Sequence, residues 1–103
     1  MSFHSRFRPE LVDDAAEAFH WYEEKADGLG QELLRSYYAA VAAVEQNPEI
    51  FLKVHSDFRR VLLQRFPYAL YFRIEQNVIV FVLLFPCVRN PQLLRKKLSG
   101  RGE

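Results

Sequence analysis

The stretch FPYALYFRIEQNVIVFVLLF, residues 66–85, decides how this chain folds. Its first half alternates, with Tyr68, Leu70, Phe72 and Ile74 on one face of a strand and Ala69, Tyr71, Arg73 and Glu75 on the other. Its second half, Val78 to Phe85, is apolar at every position and rich in β-branched residues, which marks a central strand covered on both faces. Gln76-Asn77 joins the halves as a tight connection in which Asn can take positive φ. Phe66-Pro67 makes a bend before this hairpin, and Pro86 ends it.

Upstream, Phe58 to Arg65 reads as a further strand, and Ile50 to Asp57 as a loop. Earlier still the period changes to helical. Leu11, Ala15, Ala18 or Phe19, and Tyr22 form an apolar stripe, with Asp13, Asp14, Glu17 and Glu24 largely opposite and Pro9 suited to the first turn. Asp27-Gly28-Leu29-Gly30 stops that helix. Leu33, Leu34, Tyr37, Val41 and Val44 carry a second one to Asn47-Pro48, where proline disfavours helix in the residue before it. So short a turn predicts an antiparallel helical hairpin.

Phe3 to Arg8 alternates as a short strand. Downstream, Asn90 to Leu98 reads as a short basic helix with Asn90 as cap and Pro91 at its first position, and Arg101-Gly102-Glu103 as a frayed end. The order is β-α-α-β-β-β with a short C-terminal helix. It predicts an α+β fold in which the helical hairpin packs on a mainly antiparallel sheet, residues 1–103 forming one domain.

Composition limits the functions on offer. Half of the 103 residues are apolar and 15% are aromatic, so a core can be buried. The single cysteine, Cys87, permits no internal disulfide, suits a reducing compartment and reads as structural. MSFHSRFRPE has no signal-peptide core, and the longest apolar run, Val78 to Cys87, is half of what a membrane helix needs, so a cytoplasmic protein with no membrane partner is expected. No Cys/His cluster has metal-ligand spacing, and Gly28 and Gly30 make no phosphate loop, so neither metal nor cofactor is expected.

Net charge is +1, yet residues 1–52 carry −6 and residues 53–103 carry +7. Either the basic half faces an acidic partner or the two halves neutralise each other in the fold.

Several words in this sequence resemble the RelE/ParE family. HWYEEKADGLGQELL (His20 to Leu34) is similar to its Trp-Tyr pair, charged turn and Gly-Leu-Gly opening of the second helix. Asn47-Pro48 matches the end of that helix. FRRVLLQRFPY (Phe58 to Tyr68) resembles its Arg-Arg-x-Leu-Leu strand and following Phe-Pro-Tyr. YFRIE (Tyr71 to Glu75) and Arg89-Asn90-Pro91 resemble the next strand and the closing Arg-(Asp/Asn)-Pro. The match spans roughly residues 3 to 97, and Phe-Pro-Tyr leans to the ParE side.

The resemblance implies the toxin of a type II toxin–antitoxin pair, of the plasmid-stabilisation kind. Its partners would be a cognate antitoxin and, as target, DNA gyrase for ParE-like members or ribosome-bound mRNA for RelE-like ones. Its assembly is left open between a homodimer and a heterotetramer with antitoxin. Where many relatives end the last strand with His and later place Trp, this chain has Pro86 and Leu94. Proline can neither give nor take a proton, so chemistry through that histidine is unavailable.

RNA cleavage would otherwise fall to Arg59, Arg60, Arg73 and Arg89 as cations and Tyr71 as acid. Adjacent on a strand, Arg59 and Arg60 point to opposite faces. One is expected to pair with a helix carboxylate such as Glu17 or Glu24, the other to line a groove. His55 reads as a solvated loop residue. Trp21 is expected at the margin of the core. Arg60, Arg65, Arg73, Arg89, Leu93, Leu94, Arg95 and Lys97 are the candidates for contacting target or antitoxin. The first expectation is a gyrase inhibitor that acts by binding, the second an mRNA endonuclease, and the third a toxin-fold binding protein without toxicity.

Overall fold

A computed structural model describes residues 3–87 and 90–102. The elements are β1 (His4–Phe7), α1 (Pro9–Lys25), α2 (Leu29–Gln46), a 3-10 turn (Pro48–Ile50), β2 (Lys53–His55), β3 (Phe58–Leu62), β4 (Tyr68–Glu75), β5 (Val78–Pro86) and α3 (Pro91–Arg101). The sheet runs β1-β5-β4-β3-β2, with β1 parallel to β5 and every other neighbour antiparallel. The α+β architecture read from the sequence stands.

The alternation in β4 sorts its side chains into two cores. Leu70 and Phe72 join Ile79, Phe81 and Leu84 of β5 under the helical hairpin, packed by Leu11, Ala18, Leu33 and Val44. Ala69 and Tyr71 lie on the other face with Phe58, Val80, Val82, Leu83 and Phe85, where Leu98 of α3 is fully buried on them. Burying a leucine side chain in this way stabilises by about 2 kcal/mol, and it fastens a helix whose remaining residues are mostly polar. Asn90 caps α3 by accepting from the Gln92 N–H at 2.8 Å.

The uniform apolarity of β5 conceals an irregularity. Tyr71 pairs with Leu83 and Phe72 with Phe81, so Val82 is an extra residue in the ladder. This β-bulge turns both Val82 and Leu83 to the α3 face and reverses the direction of the backbone groups that follow.

Four expectations are corrected. Residues 53–55, read as loop, form β2, because Ser56-Asp57 makes a two-residue turn with Ser56 at φ +52° and lets His55 pair with Phe58. The strand expected to reach Arg65 stops at Leu62. Beyond it the chain turns through Arg65 at φ +73°, pinned to α2 by the Ser36 hydroxyl donating to the Gln64 carbonyl at 2.6 Å. In the β4–β5 turn the positive φ falls on Gln76 at +58°, not on Asn77. Arg101 is not frayed: it closes α3 in an ion pair with Asp14, drawing that acid inward from the solvent face expected of it. Glu103 lies outside the described residues.

Candidate functional site

The open part of the α3-side sheet face gathers three of the residues singled out from the sequence. Phe58, Arg60 and Leu62 project from β3 on that side, and Arg60 pairs across the ladder with Tyr71. Two residues along β4, Arg73 shares the face. Arg60 and Leu62 are exposed, whereas Tyr71 is only 2% exposed within the cluster held by Leu98. Arg73 is largely sheltered. Its Nη1 lies 3.5 Å from Glu75 Oε2, and its Nε is buried without a hydrogen-bond partner among the described residues. The cleft in front of it is lined by His55, Asp57, Leu98 and Ser99.

His55 was not expected here. Its place follows from β2: once Lys53–His55 pairs with β3, the side chain is half-buried at the mouth of the Arg73 cleft. The signal available was Ser56-Asp57, a two-residue turn between two polar, β-capable runs.

Other candidates lie elsewhere. Arg59 faces the hairpin side and donates to the carbonyls of Phe51 at 2.8 Å and Glu49 at 3.2 Å. It therefore ties the 3-10 segment to β3 and does not pair with Glu17 or Glu24. Arg65 reaches Glu32 of α2 at 2.7 Å, away from Arg60 and Arg73. Arg89 lies outside the described residues. Pro86 is the last residue of β5, opposite Tyr68, and Cys87 is exposed.

A second surface adjoins the α3 face. Between α1 and α3 a cleft is floored by β5 from Leu83 to Pro86 and walled by Trp21, Glu17, Leu93 and Lys97. Trp21 is half exposed, packed edge-on against Tyr22, with Lys25 Nζ 4.4 Å from its ring centre. Leu93 is exposed, Leu94 is partly buried against the second core, and Arg95 and Lys96 face solvent.

One end of this cleft is closed by a part-buried ion pair. Arg101 grips Asp14 with two bonds, at 2.5 and 3.1 Å, and also donates to the Val82 carbonyl at 3.3 Å. Asp14 in turn accepts from the Leu84 N–H at 3.1 Å. These are the backbone groups that the bulge turns outward beyond the end of β1, so the pair satisfies an otherwise open sheet edge.

Chemically, the face offers cations around an enclosed phenol, with one imidazole at the rim. Among the described residues no three His, Cys, Asp or Glu side chains cluster to hold a metal ion. Among them, too, no helix is long and apolar enough to cross a membrane.

No family model matches the sequence. Among curated proteins, Toxin ParE2 of two Mycobacterium tuberculosis strains is 27% identical over 92 residues, covering 88% of this chain and 88% of the relative. Among solved structures, a chain of the chromosomal ParDE TA system from P. aeruginosa superposes with a TM-score of 0.68 at 14% identity, over 82% of this chain and 96% of that one. A mutant of the E. coli toxin RelE in the free state gives 0.63 at 10% identity, over 97% and 98%. The archaeal RelE-RelB complex from Pyrococcus horikoshii gives 0.53 at 15% identity, over 87% of this chain and 100% of the matched one. At these identities the structural matches establish the fold.

Proposed function

We propose that this chain, a member of the RelE/ParE superfamily, is the toxin of a toxin–antitoxin pair and acts by binding its target, DNA gyrase, with a cognate antitoxin as its silencing partner. The observation that carries binding over cleavage is the enclosure of Tyr71. The phenol that would serve as acid is 2% exposed beneath α3, while Arg60 beside it stands in solvent. A general acid must come within hydrogen-bond reach of the proton it transfers, and a residue covered to this extent offers little surface for that. An exposed arginine among apolar neighbours is instead the kind of group that anchors an interface. The curated relatives carry the name Toxin ParE2, which supports the ParE-like side of the family.

Purified chain added to a DNA gyrase supercoiling reaction should inhibit it, and Arg60→Glu should raise the half-inhibitory concentration about tenfold or more. Full supercoiling at a large excess of chain would sink the gyrase reading.

One observation keeps the endonuclease reading alive: His55 at the mouth of the Arg73 cleft supplies an imidazole beside a cation. Under that reading, ribosome-dependent mRNA cuts would appear in a cell-free translation extract and vanish with His55→Ala or Arg73→Ala. If induction without antitoxin leaves both growth and mRNA intact, the third reading, a toxin-fold binding protein, takes their place.

A further inference from the structure

We infer that the cleft between α1 and α3 binds a proline-rich segment of another protein, in the polyproline II conformation and with a basic residue at one end. Neither the exposed Arg60 nor any action on gyrase enters the argument, so the inference stands apart from the toxin reading.

Three aromatic rings run along one side of this cleft. Trp21 meets Tyr22 edge-on with ring centres 4.9 Å apart, and Tyr22 meets Tyr68 at 6.1 Å and 62°. Pro67 and Pro86 continue the apolar lining beyond them. Trp21 is 52% exposed, and its indole N–H makes no hydrogen bond among the described residues. Such a ring suits a ligand that brings both apolar surface and a free carbonyl. A polyproline II segment brings both, because it has no internal hydrogen bonds and all its carbonyls remain available.

The floor argues against an extended guest strand. Along the outer edge of β5 the Leu84 N–H is held by Asp14 and the Val82 carbonyl by Arg101, and Pro86 has no N–H to give. Strand addition needs a ladder of such groups, and this edge no longer offers one. Size argues against a helix. The cleft holds about 460 Å³, room for roughly one turn of α-helix at a diameter of about 10 Å and a pitch of about 5.4 Å. A single turn does not hold its shape in water. A second copy of this chain cannot be the source either. Its prolines are Pro9, Pro48, Pro67, Pro86 and Pro91, and no two of them have the three-residue spacing of a polyproline II face.

Charge supplies the remaining feature. Glu17 stands on the α1 wall one helical turn before Trp21, exposed and without an ion pair or hydrogen bond among the described residues. Lys97 stands on the α3 wall. One basic residue at the α1 side of the ligand therefore complements the cleft, whereas a basic residue along its whole length would meet Lys97.

The test uses three synthetic ten-residue peptides as probes: one with proline at every third position and arginine at one end, one of the same composition with the proline spacing scrambled, and one alanine-rich helix former ending in arginine. Trp21 is the sole tryptophan, so its fluorescence reports occupancy of the intact chain directly. The first peptide should give a saturable change and bind at least about tenfold tighter than the other two. With the peptide labelled and followed by anisotropy, Trp21→Ala should weaken binding about tenfold. Glu17→Gln should weaken it about threefold, but only for the peptide that carries arginine. Val12→Glu, on the other side of α1, should leave it within about twofold. All three positions are exposed, so the variants should fold, which circular dichroism checks. No saturable change, equal binding of the scrambled peptide, or indifference to Trp21→Ala would overturn the proposal. Tighter binding of the helix former would overturn it too, because the cleft would then belong to a helical partner.

Discussion

At the scale of single residues, the Asp14–Arg101 pair has the largest expected energetic consequence. Both side chains are 14% exposed, and the pair carries two sheet-edge backbone groups besides its own charges. Removing one partner leaves a largely buried charge and an open carbonyl. Arg101→Ala should therefore destabilise by about 3 kcal/mol, with Arg101→Lys recovering only part because an ammonium cannot grip two oxygens. Urea unfolding monitored by circular dichroism measures both, and an unchanged midpoint for Arg101→Ala would refute the assignment. Tyr37 provides a pH-dependent counterpart. Burial first, then the neighbouring Tyr38 and Asp14, push its hydroxyl up to about 12 from an ordinary 10.0. Between those values the unfolded chain has released a proton that the folded chain retains, so stability must fall as pH rises. The expected slope is about 1.4 kcal/mol per pH unit from this group, absent below pH 9 or so. Unfolding free energies of the parent and Tyr37→Phe, compared at pH 9 and 11, isolate it: the variant should lose less stability.

At the scale of elements, the α1–α2 turn rests on two glycines with different roles. Gly28 sits at φ +87°, a conformation side chains rarely adopt, and the Glu23 carboxylate accepts from both the Gly28 and Gly30 N–H groups. Gly30 lies where the helices meet. A Cβ there would come 2.7 Å from the Phe19 ring and 2.8 Å from its backbone carbonyl. The ring could swing away, but the carbonyl cannot, so Gly30→Ala should destabilise by about 1–3 kcal/mol despite alanine's higher helix propensity. A melting temperature equal to or above the parent's would contradict that packing. Sequence made these elements legible in proportion to how local their causes are. The helical hairpin follows from a 3.6-residue stripe and Asp27-Gly28-Leu29-Gly30. β4 was readable to the residue because one face is apolar along its whole length while the other ends in Arg73 and Glu75. β2 was hidden because a three-residue strand has no period of its own and exists only through its pairing with β3. The bulge at Val82 was hidden for the opposite reason: where every side chain is apolar, a shift of parity leaves no trace. The candidate site was half legible for the same reasons. Strand parity put Tyr71 and Arg73 on one face and Arg59 and Arg60 on opposite ones, while Arg60's joining the first two depends on the β3–β4 register, the enclosure of Tyr71 on α3 returning over the sheet, and His55 on β2.

At the scale of the whole molecule, the −6/+7 division leaves two alternatives, internal neutralisation or separated faces, and the ion pairs decide between them. Among the described residues three pairs cross the midpoint of the sequence: Asp14–Arg101, Glu32–Arg65 and Arg6–Glu75. The rest of the charge stays apart. Asp13, Glu17, Glu24 and Asp27 crown the hairpin, and Arg60, Arg95 and Lys96 face solvent from the sheet and α3. The molecule measures 41 × 31 × 22 Å, and the Debye length at 0.1 M salt is about 10 Å, so charges on opposite faces do not cancel for an approaching partner. A chain with net charge +1 should then behave as a dipole and be held on a sulfonate cation exchanger by its basic face. Two double variants separate orientation from net charge. Arg95→Glu/Lys96→Glu and Lys25→Glu/Arg35→Glu change the total charge equally, but only the first removes it from the face presented to the resin. The first should elute at distinctly lower salt than the second, with both retaining the parent's circular dichroism spectrum. Identical elution of the two variants would mean that the charge is effectively uniform. In that case steering of an acidic partner toward α3 and the sheet face would lose its physical basis, and recognition there would have to rest on Trp21, Leu62 and Leu93 alone.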